Sequence, residues 1–176
     1  MDLSSRYPEV LFYNMHLTEV QEDVRIGAGT RIGSFSLLHA GAVIGTNCLI
    51  GSHCNICRCE IGNNVSIQTA CHITRGVTIE DDVFIGPGVV TLNDPLNDDA
   101  LRYPVIMRGA RIGGGSLILP GVTIGENAFV GAGSVVARVD PVANLTAVAI
   151  HRYRLAQQDI CRRQGNKLLG ILVRAV

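Results

Sequence analysis

A six-residue repeat constrains the fold of this chain more than any other feature of its sequence. A branched aliphatic residue recurs, mostly every six positions, at Ile26, Ile32, Leu38, Ile44, Ile50, Ile56, Ile67, Ile73, Ile79, Ile85, Ile112, Ile118, Ile124, Val130 and Val136. A small or β-branched residue precedes each of them by two positions, and glycine often follows. This period predicts a parallel β-helix, in which each unit is a short strand and three sides close a coil of about eighteen residues.

The phase of the repeat slips at one place. After Ile56, the unit that contains Ile61 arrives one residue early. We interpret the slip as a shortened corner of one coil.

Composition agrees with one domain built on a narrow apolar prism. The 176 residues are 47% hydrophobic but only 5% aromatic, with no tryptophan, and the formal net charge is zero. A neutral chain gives no support for a nucleic acid or an anionic membrane as the main partner. Neither a transmembrane run nor a signal-peptide pattern is present, so we expect a cytoplasmic protein.

The chain divides into three parts. Residues 1–23 are expected to form an N-terminal cap, and residues 24–139 the β-helix domain, interrupted by a loop at 92–105 that carries two prolines. Residues 140–176 show apolar spacing typical of helical segments and are expected to form a C-terminal helical cap with a basic face.

The cysteines allow a second interpretation. Cys54 and Cys57 form a Cys-x-x-Cys motif of the kind that binds zinc. However, four cysteines occupy the small inward position of the repeat, where buried thiols pack as small apolar groups: Cys48, Cys54, Cys59 and Cys71. We therefore predict core packing and no metal site.

The repeats resemble those of left-handed β-helix, hexapeptide-repeat acyltransferases. Two stretches, "GVTIEDDVFIGPGVVTLND" (76–94) and "RGARIGGGSLILPGVTIGENAFVGAGSVV" (108–136), are most similar to the N-acetyltransferases of nucleotide-linked amino sugars. The resemblance implies a left-handed coil, a homotrimer with active sites between neighbouring subunits, and acetyl-CoA as the acyl donor.

Acyl transfer to an amine needs rigid donors for the developing oxyanion and a route for the amine proton. Gly114 and Ala132 are eighteen residues apart and should stack at one corner, where the family's pantetheine arm passes. Their small size also suits an ordinary turn. In the basic tail, Arg152 and Arg154 are candidates for the cofactor phosphates, or for a solvated face.

The sugar is expected beside the loop. The family's Asn-Asp pair matches Asn93 and Asp94, and in relatives this asparagine contacts the sugar. Counting back eighteen residues places Arg75 under Asn93 and His72 under Val90. His72 is the candidate general base and Arg75 the candidate pyrophosphate ligand, although both residues also suit a solvated surface. Some amino-sugar members work without a protein base.

Two departures from the family pattern leave other functions open. Phe35 matches an aromatic-histidine pair of relatives, but the histidine is displaced to His39, and the last coil reads "DPVANLTAVAIHRYR" (140–154) in place of a "GNPA" type turn. The alternatives are an O-acetyltransferase, a β-helix carbonic anhydrase, for which His39, His53 and His72 are widely separated, and a non-catalytic hexapeptide-repeat protein.

Overall fold

The computed structural model describes residues 3–95 and 100–137, and within these ranges the chain forms three parallel sheets of two-residue strands. Sheet A contains, in spatial order, β1 (Leu11–Phe12), β4 (Arg31–Ile32), β7 (Leu49–Ile50), β10 (Ser66–Ile67), β13 (Phe84–Ile85), β16 (Arg111–Ile112) and β19 (Phe129–Val130). Sheet B contains β2 (Glu19–Val20), β5 (Leu37–Leu38), β8 (Asn55–Ile56), β11 (His72–Ile73), β14 (Val90–Thr91), β17 (Leu117–Ile118) and β20 (Val135–Val136). Sheet C contains β3 (Arg25–Ile26), β6 (Val43–Ile44), β9 (Glu60–Ile61), β12 (Thr78–Ile79), β15 (Val105–Ile106) and β18 (Thr123–Ile124).

The chain visits sheets A, B and C in turn, so strands three apart in sequence pair in parallel, and the left-handed parallel β-helix is confirmed. The second residue of each strand points inward. The register places aliphatic residues of successive coils over one another, as Ile67 pairs with Ile50 and Ile85. The small residue two positions earlier is buried as well. Each coil buries its apolar side chains only against the next coil, which is why the short strands require the repeat.

The shortened corner lies between sheets B and C. Strand β9 begins five residues after β8, whereas β8 begins six residues after β7. The segment between Ile56 and Glu60 is one residue shorter than the matching segment after β7. Cys59 occupies its small inward position. Pairing of β9 with β6 and β12 continues without a bulge.

The sheets extend into the segment that the sequence predicts to be a cap. Strands β1 and β2 pair with β4 and β5, so residues 11–20 add a coil before residue 24. Helix α1 (Leu3–Arg6) precedes this coil, and a 3₁₀ turn (Met15–Leu17) lies within it. The buried Tyr7 hydroxyl donates to the carbonyl of Val24 at 2.7 Å and ties the N-terminal segment to the first coil.

The four inward cysteines are buried in the core, as predicted. The Cys54 thiol donates to the carbonyl of Gln68, and the Cys71 thiol to that of Gly86. The hydrogen bond with Cys71 and burial both raise the pKa of Cys54, and burial raises that of Cys59 to about 12. The four thiols therefore act as small packing groups, and those of Cys48, Cys54 and Cys71 donate to backbone carbonyls.

Helices of this structure are short. In residues 3–95 and 100–137, none has the length and apolar composition needed to cross a lipid bilayer.

Candidate functional site

The corner between sheets A and B, which we call the A–B corner, presents backbone donors in the last coils. The amide of Gly115 donates to the carbonyl of Pro87, and that of Gly133 to Gly114. The intervening amides of Gly114 and Ala132 have no acceptor within the described ranges. Two rigid N–H groups on successive coils therefore remain available to an external acceptor.

The space at this corner is kept open by the absence of side chains. A Cβ on Gly86 would lie 2.5 Å from the amide nitrogen of Gly114, so successive coils approach too closely for a larger residue. Gly115 and Gly133 have positive φ values of 68° and 71°, which only glycine adopts at little cost, and no atom lies within 4 Å of where their Cβ would be. The backbone of the last coils is therefore bare along this corner.

A group of polar side chains lies on the outer face of sheet B. His72 pairs with Val90 on one side, as the spacing predicts, and with Asn55 on the other. The Nε2 atom of His39 lies 2.8 Å from the Asn55 Oδ1 atom. Because an amide oxygen only accepts, this Nε2 carries the proton. The Cys57 thiol donates a longer bond of 3.7 Å to the same oxygen.

The surroundings of His72 favour the neutral form of its ring. Partial burial lowers its pKa from 6.5, and the nearby charge of His39 lowers it further. A neutral imidazole has a free lone pair and can accept a proton near neutral pH. His72 is therefore in the protonation state that a general base requires.

Asn93 and Arg75 lie around the next corner, between sheets B and C. The Asn93 side-chain amide donates to the Arg75 carbonyl at 2.9 Å, which confirms the predicted stacking of these positions. The Arg75 guanidinium is exposed and has no hydrogen-bond or ion-pair partner among residues 3–95 and 100–137. Asp94 is exposed beside Asn93.

The structure thus places the predicted site residues in two groups. His72, Arg75, Asn93 and Asp94 lie on the outer face of sheet B and its edge with sheet C, in neighbouring coils. Gly114 and Ala132 lie at the opposite edge of sheet B, one and two coils beyond Asn93. Arg152 and Arg154 lie outside the described residues, as does the predicted C-terminal helical cap.

Two side chains of this face were missed by the sequence interpretation. Asn55 stands directly beside His72 because the shortened corner changes the spacing from eighteen residues to seventeen. His39 lies one coil before Asn55 and reaches it diagonally. Counting along the repeat with the slip included would have found both.

In the described part of the chain, no three histidine, cysteine, aspartate or glutamate side chains are arranged to share a metal ion.

Comparison with known proteins identifies the repeat. A family profile described as "Bacterial transferase hexapeptide (six repeats)" matches residues 23–58, 58–93 and 103–138, more than half of the chain. The bifunctional protein GlmU of Brevibacillus brevis is 31% identical over 134 residues, which are 76% of this chain and 28% of that protein. GlmU of Thermosipho africanus is 32% identical over 155 residues, 86% of this chain and 33% of that protein. The chain therefore spans about a third or less of the length of these relatives.

Among solved structures, the acetyltransferase domain of PglB from Neisseria gonorrhoeae, in complex with acetyl coenzyme A, is 21% identical. The likeness covers 74% of this chain and 50% of that chain, with a TM-score of 0.49. A similarity of this degree adds nothing to the profile match. On the three matched segments, the chain belongs to the bacterial transferase hexapeptide family.

Proposed function

We propose that this protein is an acetyl-CoA-dependent N-acetyltransferase that acts on the amino group of a nucleotide-linked amino sugar. Family membership supports acyl transfer as the general class of reaction. The observation that carries the proposal is the pair of unbonded corner amides, Gly114 and Ala132, at one edge of sheet B, with a neutral His72 and the Asn93–Arg75 pair across the same sheet.

The bare backbone of the A–B corner suits the acyl donor. A pantetheine arm has amide carbonyls that accept hydrogen bonds, and the free N–H groups of Gly114 and Ala132 are rigid donors for them. The glycine-lined corner lets the arm lie close to the backbone. In this arrangement the thioester reaches the coil of His72 from the C-terminal coils.

The acceptor would bind at the edge between sheets B and C. Asn93 has an amide oxygen free to accept from a sugar hydroxyl, because its bond to Arg75 uses an N–H group. The exposed Arg75 guanidinium can pair with a pyrophosphate oxygen. Asp94 is placed to accept a hydrogen bond from a second sugar donor.

The reaction needs one proton to move. The neutral amine attacks the thioester carbonyl carbon, a C–N bond forms, and the C–S bond then breaks. His72 takes the proton that the nitrogen loses, and the departing thiolate is finally protonated. Because the pKa of His72 is depressed, its imidazole returns this proton readily.

We also propose a homotrimer with the site completed by a neighbouring subunit. In the last coils, the outer face of sheet B carries Val90, Leu117 and Val135, and that of sheet A carries Phe84 and Phe129 on either side of Arg111. Exposed apolar faces on both sides of one corner favour contact with another copy of the chain.

The proposal is tested by supplying acetyl-CoA with a panel of UDP- and dTDP-linked amino sugars and measuring free thiol release. Thiol release that depends on an amino sugar supports the proposal, and mass spectrometry should place the acetyl group on nitrogen. Release only with hydroxyl acceptors would indicate O-acetylation. No release with any acceptor, from a folded oligomer that binds no acetyl-CoA, would indicate a non-catalytic protein.

A further inference from the structure

Three residues at the A–B corner have a backbone conformation that their side chains disfavour. Among the described residues, eight non-glycine residues have positive φ, and five of these are asparagine or aspartate, which tolerate it. The other three are Phe35, His53 and Ala70, with φ values of 59°, 58° and 60°. All three stand on successive coils of the same corner, where later coils carry glycine.

Two of these unfavourable positions hold aromatic rings that face solvent. Phe35 is 55% exposed and His53 is exposed as well, so neither ring contributes much to the core. The rings stack with their centroids 4.9 Å apart and their planes within 11°. Positive φ recurs at this corner on later coils, so the conformation belongs to the turn, but an exposed aromatic ring at a position that favours glycine adds little to stability and points to another role.

A shallow, open cavity adjoins the stack on the side away from His53. It has a volume of about 370 Å³ and is lined by His16, Leu17, Thr18, Glu19, Phe35 and Ser36 together with Leu37. These residues belong to the first two coils, whereas His53 belongs to the third. The Phe35 amide donates to the Leu17 carbonyl, which ties this corner to the first coil beside the cavity.

We propose that Phe35, backed by His53, is a stacking platform for a nucleobase bound in this cavity. A flat heteroaromatic ring matches the exposed face of Phe35, and stacking on aromatic side chains is a general way of holding a base. The Glu19 carboxylate keeps acceptor capacity beyond its 3.2 Å bond from Gln21, and it can take an N–H group from the base edge. His16 is exposed at the rim.

Two nucleotides could supply the base, and the location favours the acceptor. Leu37 beside the platform is two strand spacings, about 10 Å, from His72 along sheet B. A sugar diphosphate linker covers such a distance. The free amides of Gly114 and Ala132 lie several coils further toward the C-terminus, which places the acyl donor at the other end of the corner. The assignment of the base to the acceptor nucleotide rests on the proposed function, but the stacking of a base on Phe35 does not.

The test is nucleotide binding by calorimetry, without turnover. Wild type is titrated with UDP, dTDP and GDP, and separately with CoA and 3′,5′-ADP. Phe35→Asn removes the ring but suits the positive φ, so it should raise the melting temperature while lowering affinity for at least one nucleoside diphosphate about tenfold or more. Phe35→Tyr should keep most of the affinity. Leu11→Asn, at an exposed apolar position in strand β1 of sheet A and outside the cavity lining, should leave nucleotide affinity unchanged.

The possible outcomes distinguish which nucleotide supplies the base and which of the two proposals fails. Loss confined to the nucleoside diphosphates assigns the platform to the acceptor, and loss confined to CoA and 3′,5′-ADP assigns it to adenine. Unchanged affinity in Phe35→Asn, or dissociation of the oligomer with nucleotide binding intact, overturns the proposal. Acetyl transfer that survives Phe35→Asn unaltered would refute the platform alone, whereas ring-dependent binding without any acetyl transfer would refute the proposed function alone.

Discussion

The side-chain amide of Asn93 donates a 2.9 Å hydrogen bond to the backbone carbonyl of Arg75 on the preceding coil. This bond fixes the Asn93 side chain at the start of the loop, and because it uses an N–H group, the amide oxygen can still accept. The same contact holds the corner that presents the Arg75 guanidinium. One hydrogen bond thereby orients two of the groups proposed to hold the acceptor.

Replacing Asn93 with alanine should weaken acceptor binding more than it weakens the fold. Loss of this partly exposed hydrogen bond should cost about 1 kcal/mol in the free energy of unfolding. The KM for the amino sugar should rise, while the oligomer stays intact. Asn93→Asp is a matched control, because it keeps the acceptor oxygen and loses the donor to Arg75. Unchanged turnover in Asn93→Ala, measured by thiol release, would remove this residue from the site.

His72→Asn should lower kcat by about 10²- to 10⁴-fold, the usual contribution of a general base. Asparagine approximates the size of the ring but cannot take a proton. Circular dichroism should show an unchanged fold. A loss smaller than about tenfold would indicate that the leaving sulfur takes the proton without help from the protein.

His39→Asn should shift the acid limb of the rate profile to higher pH. The nearby charge of His39 is one of the two causes that hold the His72 pKa below 6.5. Its removal lets that pKa rise, so His72 becomes protonated, and inactive as a base, at a higher pH. Rates measured from pH 5 to 8 give the shift, and a shift toward lower pH would contradict this electrostatic account.

Protonation of His72 should destabilise the fold in acid. The folded-state pKa of His72 is depressed, so the stability that it contributes is fully present above about pH 6.5 and is lost as pH falls through the folded value. The urea midpoint of wild type should therefore drop more steeply between pH 7.5 and 5 than that of His72→Asn. Parallel curves for the two proteins would show that His72 does not contribute.

The repeat predicted most of the fold because each coil imposes the same spacing on the next. It missed the first coil because Phe12 and Val20 there lack the glycine corners of later units. It also passed over Thr91, which stands at an aliphatic position. Thr91 is fully buried because its hydroxyl oxygen accepts from the Thr74 amide at 2.9 Å, which offsets the cost of burying a polar group.

The site was less predictable because it depends on contacts between coils. The eighteen-residue spacing correctly placed His72 under Val90 and Arg75 under Asn93. The same spacing joins Phe35 to His53, but only the backbone angles and ring planes show that this pair is strained and stacked. Protonation states such as that of His72 depend on burial, which the repeat alone does not provide.

The close approach of coils predicts a sharp contrast between two glycines. A Cβ on Gly51 would lie 2.6 Å from the amide nitrogen of Thr69, whereas nothing lies within 4 Å of one on Gly125. Gly51→Ala should lower the free energy of unfolding by about 1–3 kcal/mol, as overpacking does. Gly125→Ala should be neutral or slightly stabilising. Urea denaturation of both variants measures the difference, and equal effects would show that the backbone yields at this corner.

The free amide of Ala132 gives the clearest test of the acyl-donor site proposed at the A–B corner. Ala132 is exposed, so Ala132→Val should leave the melting temperature nearly unchanged. The added methyl groups would cover the neighbouring donors, and the KM for acetyl-CoA should rise about tenfold, the equivalent of one hydrogen bond of roughly 1.4 kcal/mol. Thr123→Val, at an exposed position on sheet C, serves as the matched control. Because the acceptor is proposed to bind across sheet B, its affinity should stay constant, and a loss of acceptor binding without a loss of acetyl-CoA binding would place the donor elsewhere.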